Sequence, residues 1–147
     1  PWQWWFGTSH DEALAHRIEA GSDLFLMPSR YEPCGLNQLY SLRYGTVPVV
    51  RATGGLADTV REFDPITREG NGFVFEGYSG DEMIMALRRA LAVYGEPEQW
   101  LHVQRNGMQR DSSWRVAADG YDRLYAEALD RVGDGRVPTF ESVRDSF

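Results

Sequence analysis

Apolar residues in this chain gather in three short unbroken runs, separated by stretches with helical spacing. Leu24 to Met27, Val47 to Val50 and Phe73 to Phe75 are long enough for strands and too short for helices. Unbroken rather than alternating runs predict strands buried on both faces, as in a parallel sheet. Between the first two, Leu36, Leu39, Tyr40 and Leu42 recur at helical spacing, and Gly45 is a natural stop. Ahead of them, Ser9 with Glu12 three residues on suggests a capping box for a helix carrying Ala13, Leu14, Ile18 and Ala20. After the third run, residues 81–94 form an amphipathic helix with Met83, Ile84, Leu87, Ala90, Leu91 and Tyr94 on one face. Residues 96–111 make another, with Trp100, Leu101 and Val103 as buried candidates and Gly107 weakening its end. A last helix opens at Ser112 or Ser113 and carries Trp114, Ala117, Ala118, Tyr121, Leu124, Tyr125, Ala128 and Leu129 as a docking face. The order strand, helix, strand, strand, helices predicts an α/β fold, a parallel sheet flanked by helices. Residues 62–72 are polar, with Pro65, Gly70 and Gly72, and read as a surface loop.

Ligands of open α/β sheets bind beyond the carboxyl ends of strands, where loops meet helix N-termini. The loop Ser29-Arg30-Tyr31-Glu32-Pro33-Cys34-Gly35 occupies such a place. Gly35 lets backbone approach a ligand closely. The first N–H groups of the following helix, near Gly35, Leu36 and Asn37, suit an anionic oxygen. Glu32 offers a carboxylate to sugar hydroxyls or to developing positive charge. After the second strand, Thr53, Gly54 and Gly55 predict a flexible turn with exposed N–H groups. His16 fits helix packing better than base catalysis.

Charge narrows the partners. Fifteen basic and 22 acidic residues give a net −7, which argues against a nucleic-acid or anionic-membrane surface. Residues 28–55 hold three Arg and one Glu, a local +2, and the remainder is 12 minus 21, or −9. Cys34 is the one cysteine, so no internal disulfide forms and a reducing compartment fits. No apolar run approaches the ~18 residues of a spanning helix, and the start PWQWW lacks the basic region of a signal peptide. The missing initiator Met leads to the expectation of an internal piece of a longer protein. Trp2, Trp4, Trp5 and Phe6 would expose much apolar area unless something covers them.

The run RYEPCGLNQLYSLRYGTVPVV followed by RATGGLADTV, with AHRIEAGSDLFLMPS before it, closely resembles the donor-binding half of bacterial glycogen synthases and plant starch synthases, glycosyltransferase family five. The resemblance is nearly gapless over residues 13–59 and looser to about residue 130. It implies the GT-B fold of two Rossmann-like domains, each a parallel sheet flanked by helices, of which this chain would be most of the carboxyl-side, donor-binding domain over residues 1–132, with 133–147 a tail. It implies retaining transfer of glucose from ADP-glucose to the 4-OH end of an α-1,4-glucan, with no metal and no cofactor, in the cytoplasm or a plastid. It places Glu32 at the acidic site residue, and Cys34, Gly35, Leu36 and Asn37 in the loop that meets glucose and the distal phosphate. Thr53, Gly54 and Gly55 join the donor site, and Ser9 and His10 fall near adenine. Related transferases carry a second Glu eight positions after the first; here that position is Tyr40, as in family five, and its ribose contact stays open. The family's phosphate-neutralising Arg and Lys and its amino-terminal acceptor domain have no counterpart in this chain, so the chain alone is expected to be inactive or nearly so. One rival is a nucleotide-sugar-binding or orphaned domain without catalysis. A phosphorylase is another, and the absence of any Lys to hold pyridoxal phosphate disfavours it.

Overall fold

The computed structural model describes residues 11–133. Trp2, Trp4, Trp5, Phe6, Ser9, His10 and the tail from residue 134 lie outside them. The described residues divide between Arg110 and Asp111 into two units, each taken here by itself.

The first unit runs α1 (Glu12–Ala20), β1 (Leu24–Met27), α2 (Asn37–Tyr44), β2 (Val47–Arg51), α3 (Gly55–Thr59), β3 (Phe73–Phe75), α4 (Gly80–Tyr94) and α5 (Pro97–Gln109). The strands form one parallel sheet in the order β1-β2-β3, as the unbroken apolar runs predict. Leu24 pairs with Val47 and Met27 with Val50; Val49 pairs with Phe73 and Arg51 with Phe75. Pro48 sits in this central strand without breaking it. The Val47 N–H donates to Asp23 on the β1 side, so the next residue's nitrogen faces the β3 side, where pairing begins only at Val49.

Each face of the sheet has its own core. Val47, Val49, Phe73 and Phe75 pack with Ala86, Ala90, Val93, Trp100 and Val103 of α4 and α5. Val50 packs with Leu56 and Val60 around α3. The outer edge of β3 is closed by side chains: the Val74 N–H donates to Glu62 at 2.6 Å and Arg89 donates to the Val74 carbonyl at 2.7 Å. Glu62 and Arg89 are themselves paired at 2.6 Å, so this pair takes both hydrogen-bonding groups that a further strand would use.

Several sequence expectations need correction. β1 is only half-buried, with Leu26 41% exposed; β2 alone pairs with it among the described residues. The cap of α1 is Asp11, whose carboxylate accepts from the Leu14 N–H at 3.0 Å, rather than Ser9. The buried face of α4 runs through Met83, Ala86, Leu87, Ala90 and Val93; Ile84, Leu91 and Tyr94 face outward. Small alanines let the helix approach the two Phe rings of β3, so packing centres on them rather than on the bulkiest residues. Leu101 of α5 is likewise exposed. Gly107, two residues before the end of that helix, lies buried against Leu42, where a Cβ would come within 2.8 Å of a methyl group. The polar stretch 62–72 is a surface loop with an anchor: Phe63 is in the core, and buried Asn71 donates to the Thr59 carbonyl and accepts from the Arg61 N–H.

The second unit is α6 (Trp114–Gly133), the helix expected after Ser113. Asp111 accepts from the Ser113 N–H at 2.9 Å and from Arg115 at 3.2 Å, arranging its first turn.

Candidate functional site

The loop from β1 to α2 lies at the carboxyl end of β1, as the strand-loop-helix order requires. Leu36 is the N-cap of α2 and has no capping side chain. Among the described residues, no oxygen accepts from the N–H groups of Gly35, Leu36, Asn37 or Gln38. Four free amides at the start of an eight-residue helix concentrate positive potential there. Gly35 adopts φ +68°, a conformation glycine holds without strain. The Glu32 side chain is half-buried and forms no hydrogen bond or ion pair among the described residues. Cys34, Leu36 and Asn37 are exposed.

The turn after β2 packs directly onto this loop. The Gly55 N–H donates to the Glu32 carbonyl at 3.1 Å. A Cβ on Gly54 would lie 2.0 Å from the Glu32 oxygen, and one on Gly55 would lie 1.8 Å from the Cys34 oxygen. The glycine pair is therefore a close-packing surface between two backbones, and the expectation of a flexible turn with exposed amides is corrected for Gly55. That turn leads straight into α3, a helix outside the predicted element order. Thr53 is half-buried at its start.

Gln38 stands beneath both loops and was missed. It is fully buried on α2, and its Nε2 donates to the Cys34 carbonyl at 3.1 Å, the Gly35 carbonyl at 2.9 Å and the Thr59 hydroxyl at 3.3 Å. Thr59 in turn donates to the Gly55 carbonyl. Its position one turn after Gly35 was the available signal.

The arginines divide by use. Arg51, at the end of β2, donates to the Arg30 carbonyl at 2.8 Å and the Glu76 carbonyl at 3.0 Å. It thus ties the ends of all three strands together, with Tyr78 stacked 5.6 Å away. Arg43 donates to the Met108 carbonyl. Arg30 alone of the three is exposed without a side-chain partner among the described residues. The local positive charge is therefore largely structural. Beside Arg51, a cavity of about 260 Å³ opens between Pro28, Phe75, Tyr78, Gly80 and Met83.

Tyr40 does not stand with the loop amides alone. Its ring meets His16 of α1 edge-on at 5.1 Å, and His16 lies 3.4 Å from the Tyr44 hydroxyl. His16 also faces Glu19 at 4.0 Å. This matches a packing histidine better than a base. Burial raises the Glu19 carboxyl above its ordinary range, with His16 opposing in part. Glu32, Cys34, Gly35, Leu36 and Asn37 are thus brought together with Gly54 and Gly55, and Tyr40 flanks them one turn along α2. His10 lies outside the described residues. Among the described residues, no three His, Cys, Asp or Glu side chains gather as a metal site, and no helix is long and apolar enough to cross a membrane.

A parallel α/β unit with an uncapped helix start at its strand ends has the architecture in which open α/β sheets take their ligands. The family model described as glycosyl transferases group 1 matches residues 3–105, and the chain belongs to that family. It is 61% identical over 120 residues to a protein named glycogen synthase from Koribacter versatilis, covering 82% of this chain and 25% of that one. It is 54% identical over 122 residues to a glycogen synthase from Fervidobacterium nodosum, covering 83% and 25%. Among solved structures it resembles the catalytic domain of starch synthase IV from Arabidopsis thaliana bound to ADP and acarbose. There the TM-score is 0.74 with 41% identity, over 84% of this chain and 26% of that one. The chain spans about a quarter of the length of these relatives.

Proposed function

We propose that this chain is the donor-binding part of a glycogen or starch synthase. That enzyme transfers glucose from ADP-glucose to the 4-OH end of an α-1,4-glucan with retention at the anomeric carbon. The observation that carries the reading is the uncapped start of α2 next to the loop of Glu32, half-buried and without a partner among the described residues. The relatives' names and the ADP in the starch synthase structure point the same way.

In this reading the amides of Gly35, Leu36 and Asn37 receive the distal phosphate. They stabilise the charge that grows on the diphosphate as the glucosyl bond breaks. Glu32 accepts hydrogen bonds from glucose hydroxyls and favours oxocarbenium character at the anomeric carbon. Gly54 and Gly55 keep the second loop close behind. The donor is a substrate, and the reading calls for no cofactor. The glucan and the acceptor domain belong to the part of the relatives that this chain does not span.

Calorimetric titration of the purified chain with ADP and with ADP-glucose tests this. Saturable binding of both is expected, with Glu32→Gln weakening ADP-glucose about tenfold, the scale of a lost charge-assisted hydrogen bond, and leaving ADP unchanged. Absence of ADP binding, or equal ADP-glucose affinity in the variant, overturns the reading.

A further inference from the structure

We infer that Gln38 is a positioning residue: through Thr59 it locks the Glu32–Gly35 loop and the Gly54–Gly55 turn into one preformed unit. The inference rests on the proposed donor site for its ligand, but the geometry is independent of it.

Gln38 is fully buried, and burying an amide is costly unless its donors and acceptor are used. Two N–H groups are shared among the Cys34 and Gly35 carbonyls and the Thr59 hydroxyl. The Oε1 atom has no partner among the described residues. An apolar side chain of the same length would fill this space without leaving that oxygen unsatisfied, so packing alone does not account for an amide here. What the amide adds is the chain of bonds. Gln38 holds the Cys34 and Gly35 carbonyls, which turns their peptide planes and leaves the Gly35 and Leu36 N–H groups facing outward. The same nitrogen holds Thr59, Thr59 holds the Gly55 carbonyl, and the Gly55 N–H returns to the Glu32 carbonyl. The ring of contacts closes on the residue that carries the site's carboxylate.

Gly35 is part of the same device. A Cβ there would lie 2.4 Å from Gln38 Oε1, so the amide occupies the space that a side chain on Gly35 would take. Gly35 and Gln38 are thus complementary choices, one absent side chain and one buried amide. A loop held this way reorganises little when an anion arrives, which is where preformed amides gain their strength.

The test compares the chain with Gln38→Leu, Thr59→Val and the double variant. Amide hydrogen exchange is measured by NMR without ligand. Exchange at Gly55 about tenfold faster in Gln38→Leu, with the Phe73 amide of β3 unchanged, is expected; one buried hydrogen bond is worth that order. Thr59→Val should give a smaller acceleration at Gly55 while leaving Gln38 packed, and it serves if Gln38→Leu does not fold. Unchanged Gly55 exchange in the folded single variants overturns the inference, as does uniform acceleration that includes Phe73. ADP affinity is measured alongside. About tenfold weaker binding in Gln38→Leu is expected, with Thr59→Val adding less to it than it costs by itself. Equal ADP affinity in the chain and Gln38→Leu also overturns the inference while leaving the donor site intact. If the unaltered chain binds no ADP, the proposed function fails and the exchange result alone decides the coupling.

Discussion

Glu19 shows at the residue scale how burial sets a carboxylate against its fold. Its Oε2 is buried without a hydrogen-bond partner among the described residues, and desolvation raises its pKa above the ordinary 4.5, with His16 pulling the other way. A carboxyl whose pKa is raised by folding stabilises fully only below the unfolded value, and that contribution is lost as pH rises through the folded one. Glu19→Gln is therefore expected to raise the melting temperature at neutral pH. The gain should shrink as pH falls toward 4.5, where the native side chain also becomes neutral; thermal melts across that range check it. The carbonyl of Glu19 accepts from buried Thr46, and the substitution leaves that bond in place. At this same scale the place of Glu32, Cys34 and Gly35 in the loop from β1 to α2 was legible from the strand-to-helix order, while their part in a donor site follows from the resemblance to the synthases. Gln38 was not: glutamine is usual on exposed helix faces, and only the approach of two loops makes it a buried donor. For Gly55 an exposed amide is expected and a packed one is found, since glycine serves flexibility and close backbone contact alike.

At the element scale, helix ends and faces decide more than helix existence. Every helix expected in residues 11–133 is there, but α1 starts on a different cap and the buried face of α4 keeps Met83, Leu87 and Ala90 while shifting to Ala86 and Val93 at its edge. A stripe of large apolar residues about as wide as the true one cannot say which edge is buried. The N-terminus of α6 offers a direct check. Hydrogen bonds from the side chain and backbone of Ser113, then the Arg115 guanidinium, hold the Asp111 carboxyl down at about 2. A group whose pKa is depressed by folding contributes stability above its unfolded value and loses it as pH falls through the folded one. NMR titration should place the Asp111 carboxyl midpoint near 2. Asp111→Ala should fray the first turn of α6 above pH 4, read as faster amide exchange at Ser113 and Val116.

On the scale of the whole molecule, three short parallel strands hold the site only because both faces are covered. Phe73 sits at the centre of the larger core, 1% exposed between β2 and α4. Phe73→Ala should cost about 3–5 kcal/mol, seen as a lower urea midpoint of the first unit with an unchanged slope. Arg51 performs the corresponding task at the polar end, joining the three strand ends through carbonyls. Its hydrogen bonds show that it mainly braces the loops around the candidate site.

The sequence by itself determined the order of the strands and of the described helices other than α3, the parallel sheet, and the loop that carries Glu32 and Gly35. Those follow from local periodicity and from residue types with narrow backbone uses. The tertiary structure alone decided which face of α4 is buried, that Arg51 and Gln38 are braces, and that the glycine turn lies against the Glu32 loop. Each of these depends on which distant backbone comes within hydrogen-bonding distance, and that is set by packing across the sheet rather than by neighbours along the chain.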